Sequence, residues 1–75
     1  MSRKKTPQEI AELVDDVSKG GTRPIRLIFD NRRPLRDFNV KSIIQDEEGG
    51  YITGHEGNQK RIHMVRLEDI RDVGR

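Results

Sequence analysis

The sequence predicts a mainly β (α+β) domain: an N-terminal amphipathic helix followed by a compact five-stranded antiparallel barrel. Three observations predict it. A capped apolar stripe lies near the start, the apolar spacing changes from helical to alternating after a double glycine, and tight turn clusters divide the rest into short segments.

The helix is predicted over 7–19. Thr6-Pro7-Gln8-Glu9 supplies an N-cap hydroxyl, a proline at the first helical position and a glutamate three residues on. Ile10, Leu13, Val14 and Val17 follow at i, i+3, i+4 and i+7 and form one apolar stripe. Glu9, Glu12, Asp15 and Asp16 line the other side, where negative charge early in a helix suits its dipole. Lys19 gives a cationic last turn, and Gly20-Gly21 a left-handed stop.

After the double glycine, Ile25 to Asp30 alternates with Leu27 and Phe29 on one face, and Asp30-Asn31 through Pro34 is a turn. Arg36 to Gln45 reads as a longer strand with Phe38, Val40 and Ile44 in phase and Ile43 out of phase, as expected of a strand that bends at a bulge near Ser42. Asp46-Glu47-Glu48-Gly49-Gly50 is a turn, Tyr51 to His55 a third strand and Glu56-Gly57-Asn58 another turn. Lys60 to Leu67 reads as the fourth strand, Glu68-Asp69-Ile70 as one tight helical turn, and Arg71–Val73 as the final strand. This is too little chain for a sandwich. Closure removes exposed edges and leaves the helix to cover an open end, so the expected architecture is an SH3-like or Sm-like barrel.

Composition bounds what such a domain does. Its 75 residues form one domain, with a flexible basic tail expected over 1–5 and the helix plus barrel over 6–75. Apolar residues make up 31% and charged residues 37%, so the core is thin. Without cysteine there is no disulfide and no thiolate metal site, which fits a reducing compartment. No apolar run approaches the ~20 residues that span a bilayer, and Met1 to Lys5 lacks the apolar stretch of a secretory signal. The expected location is cytoplasmic, with no membrane partner.

Four segments carry a resemblance: Ile25-Arg26-Leu27-Ile28-Phe29, Arg36-Asp37-Phe38-Asn39-Val40, Gly50-Tyr51-Ile52-Thr53-Gly54, and Arg61 through Val73 with its closing Leu67-Glu68-Asp69-Ile70-Arg71-Asp72-Val73. Residues 25–73 thereby resemble the small Sm-like barrel of WYL domains of bacterial transcription regulators. Tyr51 matches the family's tyrosine, while Gly50 stands at its tryptophan and Ile52 at its leucine. Asp69 precedes Ile70 where the family favours an arginine. The resemblance implies a barrel that binds nucleic acid or a nucleotide-like ligand.

Catalytic chemistry finds no support among the residues. General acid–base work needs a base in a recess, and a thin barrel offers little depth for one. Ser18, Ser42, Thr22 and Thr53 sit in no nucleophile elbow. His55 and His63, on neighbouring strands with Glu56 beside them, lack the four-ligand spacing of a metal site and read as solvent-exposed. The glycines from Gly49 to Gly57 lack the Lys-Ser/Thr and the following helix of a phosphate loop, so they read as turn residues and a tight bend. The reading is a non-enzyme with no catalytic, cofactor-binding or metal residues.

The basic residues carry the signal. Arg23, Arg26, Arg32, Arg33 and Arg36 face a single acid, Asp30, across that stretch, and Lys60, Arg61 and Arg66 add charge to the fourth strand. Arg3, Lys4 and Lys5 precede the helix, and the acids gather on the helix and at 46–48. The molecule is expected to be basic along the barrel and acidic over the helix, and arginine forks suit phosphates. On this reading Arg32, Arg33 and Arg36 grip RNA or DNA phosphates, helped by Lys41, Lys60, Arg61 and Arg66, with Tyr51 as a stacking ring. The competing reading is a phage- or plasmid-type inhibitor or adaptor whose basic face docks on an acidic protein surface. Homo-oligomerisation through barrel edges is the third.

Overall fold

The structure, a computed structural model, describes residues 5–75. Arg3, Lys4 and most of the expected basic tail lie outside the described residues. Helix α1 spans Pro7–Ser18, and the strands are β1 (Ile25–Phe29), β2 (Leu35–Ile44), β3 (Tyr51–Glu56), β4 (His63–Arg66) and β5 (Ile70–Gly74). A 3-10 turn at Leu67–Asp69 joins the last two.

α1 forms where its cap and stripe place it. The Thr6 hydroxyl accepts from the Glu9 N–H at 3.2 Å, and the Glu9 carboxylate accepts from the Thr6 N–H at 3.3 Å. Ile10 and Val14 are fully buried, Leu13 and Val17 pack at the margin, and Ala11 and Ser18 complete the face. The left-handed stop begins one residue earlier than the glycines, at Lys19 (φ 53°), because the Lys19 and Gly20 N–H groups turn back onto the Asp16 and Asp15 carbonyls. Buried Ser18 ties the exit. Its hydroxyl accepts from the Gly21 N–H at 3.1 Å, and its carbonyl accepts from the Thr22 and Arg23 N–H groups at 2.9 Å each.

The five strands make one antiparallel sheet in the order β4-β3-β2-β1-β5. α1 lies mainly over β5 and the 3-10 turn. Between them Phe38, Ile25, Leu27, Ile52, Leu67 and Ile70 are fully buried, each contributing roughly 1.5–3 kcal/mol of transfer free energy. β1 alternates as expected, with Ile25, Leu27 and Phe29 inward.

β2 departs from simple alternation twice. Against β3 the register slips between Val40 and Ser42, which leaves Lys41 as the extra residue of a bulge. The bend expected near Ser42 is therefore present, and it reverses the phase: Ile43 packs on the core, while Ile44 turns outward, 40% exposed. Against β1, Ile25 pairs with Phe38 and Leu27 with Leu35, so Arg36 and Asp37 form a second irregularity. Asp37 takes a left-handed φ of 51°, and its carbonyl accepts from the Gly57 N–H at 2.8 Å and from Asn39 Nδ2 at 3.0 Å.

Two further boundaries differ from the sequence reading. β4 starts at His63, not Lys60, because Asn58 through Arg61 offer no inward apolar residue and ladder pairing begins only at Gly54–His63. β5 already includes Ile70, whose side chain is fully buried. Gly50 has φ 96°, and a Cβ there would run into the Ile44 carbonyl, so no side chain fits. Gly54 is extended, and a Cβ there would meet the Phe38 ring at 2.8–2.9 Å as well as the Asn39 carbonyl oxygen.

Candidate nucleic-acid interface

The bulges of β2 govern where the basic side chains point. A bulge inserts an unpaired residue, bends the strand and re-aims its side chain. Arg36 and Lys41 both occupy such positions, and both are exposed. Arg36 thereby shares a recess of about 140 Å³ with Arg26 on β1 and Arg75 after β5. Pro24, Ile25 and Asp37 complete its lining. β2, β1 and β5 are consecutive in the sheet, and Arg26 pairs with Gly74 across β1 and β5.

Lys60 and Arg61 are exposed on the loop between β3 and β4 rather than on a strand. Hydrogen bonds hold the start of that loop beside the Asp37 bulge. Besides the Gly57–Asp37 bond, Asn39 Nδ2 donates to the Gly57 and His55 carbonyls at 3.4 Å each. His55 Nδ1 lies 3.0 Å from the Gly57 carbonyl as well. These bonds join the β2 bulge to the start of the loop that carries Lys60 and Arg61.

The remaining candidates fall elsewhere. Arg32 and Arg33 are exposed in the turn between β1 and β2, but the Arg32 guanidinium stacks over the Phe29 ring, 4.0 Å from its centroid. It shares a recess of about 300 Å³ with Asp30, Asn31 and Asp69, which dilute its charge. Arg66 is paired on both sides, with Glu48 at 3.3 Å and Glu68 at 3.3 Å. Tyr51 is half-buried and opposite Arg66 in the ladder, close to that acidic turn. Arg66 and Tyr51 thus belong to a charge-balanced end of the sheet.

Ion pairs sort the cations further. Lys5 pairs with Asp72 at 3.4 Å and Arg71 with Asp30 at 3.6 Å. Among the described residues Lys19, Arg23, Arg26, Arg32, Arg33, Arg36, Lys41, Lys60, Arg61 and Arg75 have no carboxylate partner. The acids of α1 line a separate recess of about 420 Å³, formed by Lys5, Glu9, Glu12, Leu13 and Asp16. Sequence reading named Arg36, Lys60 and Arg61 but passed over Arg26 and Arg75 as site residues. The antiparallel pairing of Arg26 with Gly74 was the missing signal, because it brings the end of the chain beside β1.

The histidines are half-buried rather than solvent-exposed, and alternation sends them to opposite faces of the sheet. His63 faces Glu56, with Nε2 3.8 Å from the carboxylate oxygen, shielded from solvent and without a hydrogen-bond partner. The described residues contain no group of three or more His, Cys, Asp or Glu side chains arranged to hold a metal ion. No helix among them is long and apolar enough to cross a membrane. No protein-family model, curated protein or solved structure matches the chain.

Proposed function

We propose that this chain is a non-enzymatic, transcription-associated binding domain that engages RNA or DNA through phosphates at its basic corner. The observation that carries the reading is a gathering of cations that form no ion pair. Arg26, Arg36, Lys60, Arg61 and Arg75 belong to the β2 bulge and the elements next to it, where the acids are Asp37 and Glu56, while seven of the thirteen acids lie on α1 and at 46–48. Uncompensated guanidinium forks are what a phosphate backbone requires.

A curled, Sm-like barrel of the WYL kind is part of the proposal. Three residues separate Arg66 from Ile70 at the two sheet edges, a stretch of chain reaching at most ~14 Å. Five flat strands would hold those edges ~19 Å apart, so the short connection supports a strongly curved sheet.

The test is fluorescence anisotropy of labelled single- and double-stranded oligonucleotides across salt concentration. If three to five phosphates are neutralised on a single strand, log K falls against log salt with a slope of about −2 to −3.5. No binding at low salt, or binding indifferent to salt, overturns the reading.

A second reading, docking on a protein, is favoured by the exposed apolar residues Ile62 (48%) and Met64 (66%) at edge strand β4 and Ile44 at the end of β2. Recovery of a partner that survives nuclease treatment supports it over nucleic-acid binding. Self-association through the β4 and β5 edges is tested by light scattering, and a monomer across concentrations excludes it.

A further inference from the structure

We infer that the recess between Arg26, Arg36 and Arg75 is a seat for one phosphate group. The inference rests on the polyanion reading above and names the place where that polyanion is held most firmly. Three arginines line the recess, from β1, from β2 and from the residue after β5, and the only acidic side chain in its lining is Asp37. Cations brought to one concave place focus a positive field that attracts an anion.

The backbone supports the same assignment. Asp37 holds a left-handed φ of 51°, a conformation that non-glycine residues adopt at a cost, though aspartate tolerates it better than most. The bulge it creates takes Arg36 out of the ladder with β1 and sets it on the recess beside Arg26. Asn39 and Gly57 brace that bulge from behind, so Arg36 starts from a fixed backbone. Preorganisation of this kind reduces the ordering cost of binding. Pro24 and Ile25 supply the recess's apolar lining.

The ligand chemistry is a tetrahedral phosphate dianion or a phosphodiester, supplied either by free phosphate or by a nucleic-acid strand. Two titrations of the full chain separate the sources. Sodium phosphate is added while the arginine Nε–Hε resonances are recorded, and a labelled oligothymidylate of about twelve nucleotides is followed by anisotropy. Both are repeated with Arg26→Ala, Arg36→Ala and Arg36→Lys. Arg71→Ala, which removes a cation paired with Asp30, serves as the charge-matched control, and far-UV circular dichroism verifies folding.

Phosphate is expected to shift the Arg26, Arg36 and Arg75 resonances and leave that of Arg71 in place. Arg26→Ala and Arg36→Ala each weaken oligonucleotide binding about tenfold, as the loss of a charge-assisted contact does. Arg36→Lys recovers only part of it because the fork is lost. Arg71→Ala stays within about twofold. Oligonucleotide binding that survives Arg26→Ala and Arg36→Ala within twofold overturns the seat while leaving nucleic-acid binding standing. Phosphate shifts at the three arginines without oligonucleotide binding uphold the seat and overturn the nucleic-acid reading. Silence in both titrations overturns both.

Discussion

Replacing Gly54 by alanine tests the packing of the sheet at its tightest point. Gly54 pairs with Val40 on one side and His63 on the other, and the fully buried Phe38 ring lies across it. An added Cβ meets ring atoms Cε2 and Cζ at 2.8 and 2.9 Å and runs into the Asn39 carbonyl oxygen. The ring is fully buried, and the carbonyl is held in the β2 backbone. Overpacking a core typically costs ~1–3 kcal/mol, while removing a strand glycine returns ~0.5–1 kcal/mol of backbone entropy. Because the backbone contact cannot be relieved by a rotamer change, the upper part of the range applies and the net loss is about 2 kcal/mol. For a domain of this size that lowers Tm by roughly 8–16 °C. Thermal and urea unfolding measure it. In a Phe38→Leu background the penalty shrinks, with a coupling energy of about 1 kcal/mol in the double-mutant cycle. An unchanged or raised Tm for Gly54→Ala, or strict additivity with Phe38→Leu, refutes the packing described here.

Thr6→Ala removes the capping hydroxyl of α1 and is expected to cost about 1 kcal/mol, read as a lower urea midpoint at constant m-value. Asn39→Ala takes away the brace shared by Asp37, His55 and Gly57, with an expected loss of about 1–2 kcal/mol. Faster hydrogen exchange at the Gly57 amide accompanies it if the corner loosens as a unit. Arg66→Ala lowers oligonucleotide affinity by less than about threefold, because Glu48 and Glu68 already neutralise that side chain. A loss as large as that of Arg36→Ala would show that Arg66 leaves its carboxylates to meet the ligand.

How much of this was legible depended on the sequence range of each interaction. The capping box at Thr6–Glu9, the stripe from Ile10 to Val17 and the alternation of β1 are local, and the structure keeps them within a residue or two. The bend near Ser42 was legible because Ile43 breaks the phase set by Phe38 and Val40. Its consequence for Ile44 was not, since one extra residue at Lys41 reverses every side chain after it. The bulge at Arg36 and Asp37 left no apolar trace, as both residues are charged and exposed. Charge runs were the least reliable guide to the site. Arg66 reads as one more cation on a strand, yet Glu48, eighteen residues away, folds against it. Arg26 and Arg75 lie at opposite ends of the sheet region, and only the pairing of β1 with β5 unites them.

The most direct test of the central claim is an amide chemical-shift map of the full chain with a short oligonucleotide at low salt. Perturbations are expected to concentrate at residues 23–26, 36–37, 57–61 and 74–75 and to fade as salt rises. Shifts gathered instead on α1 and the 46–48 turn, or no shifts at any salt concentration, would contradict it.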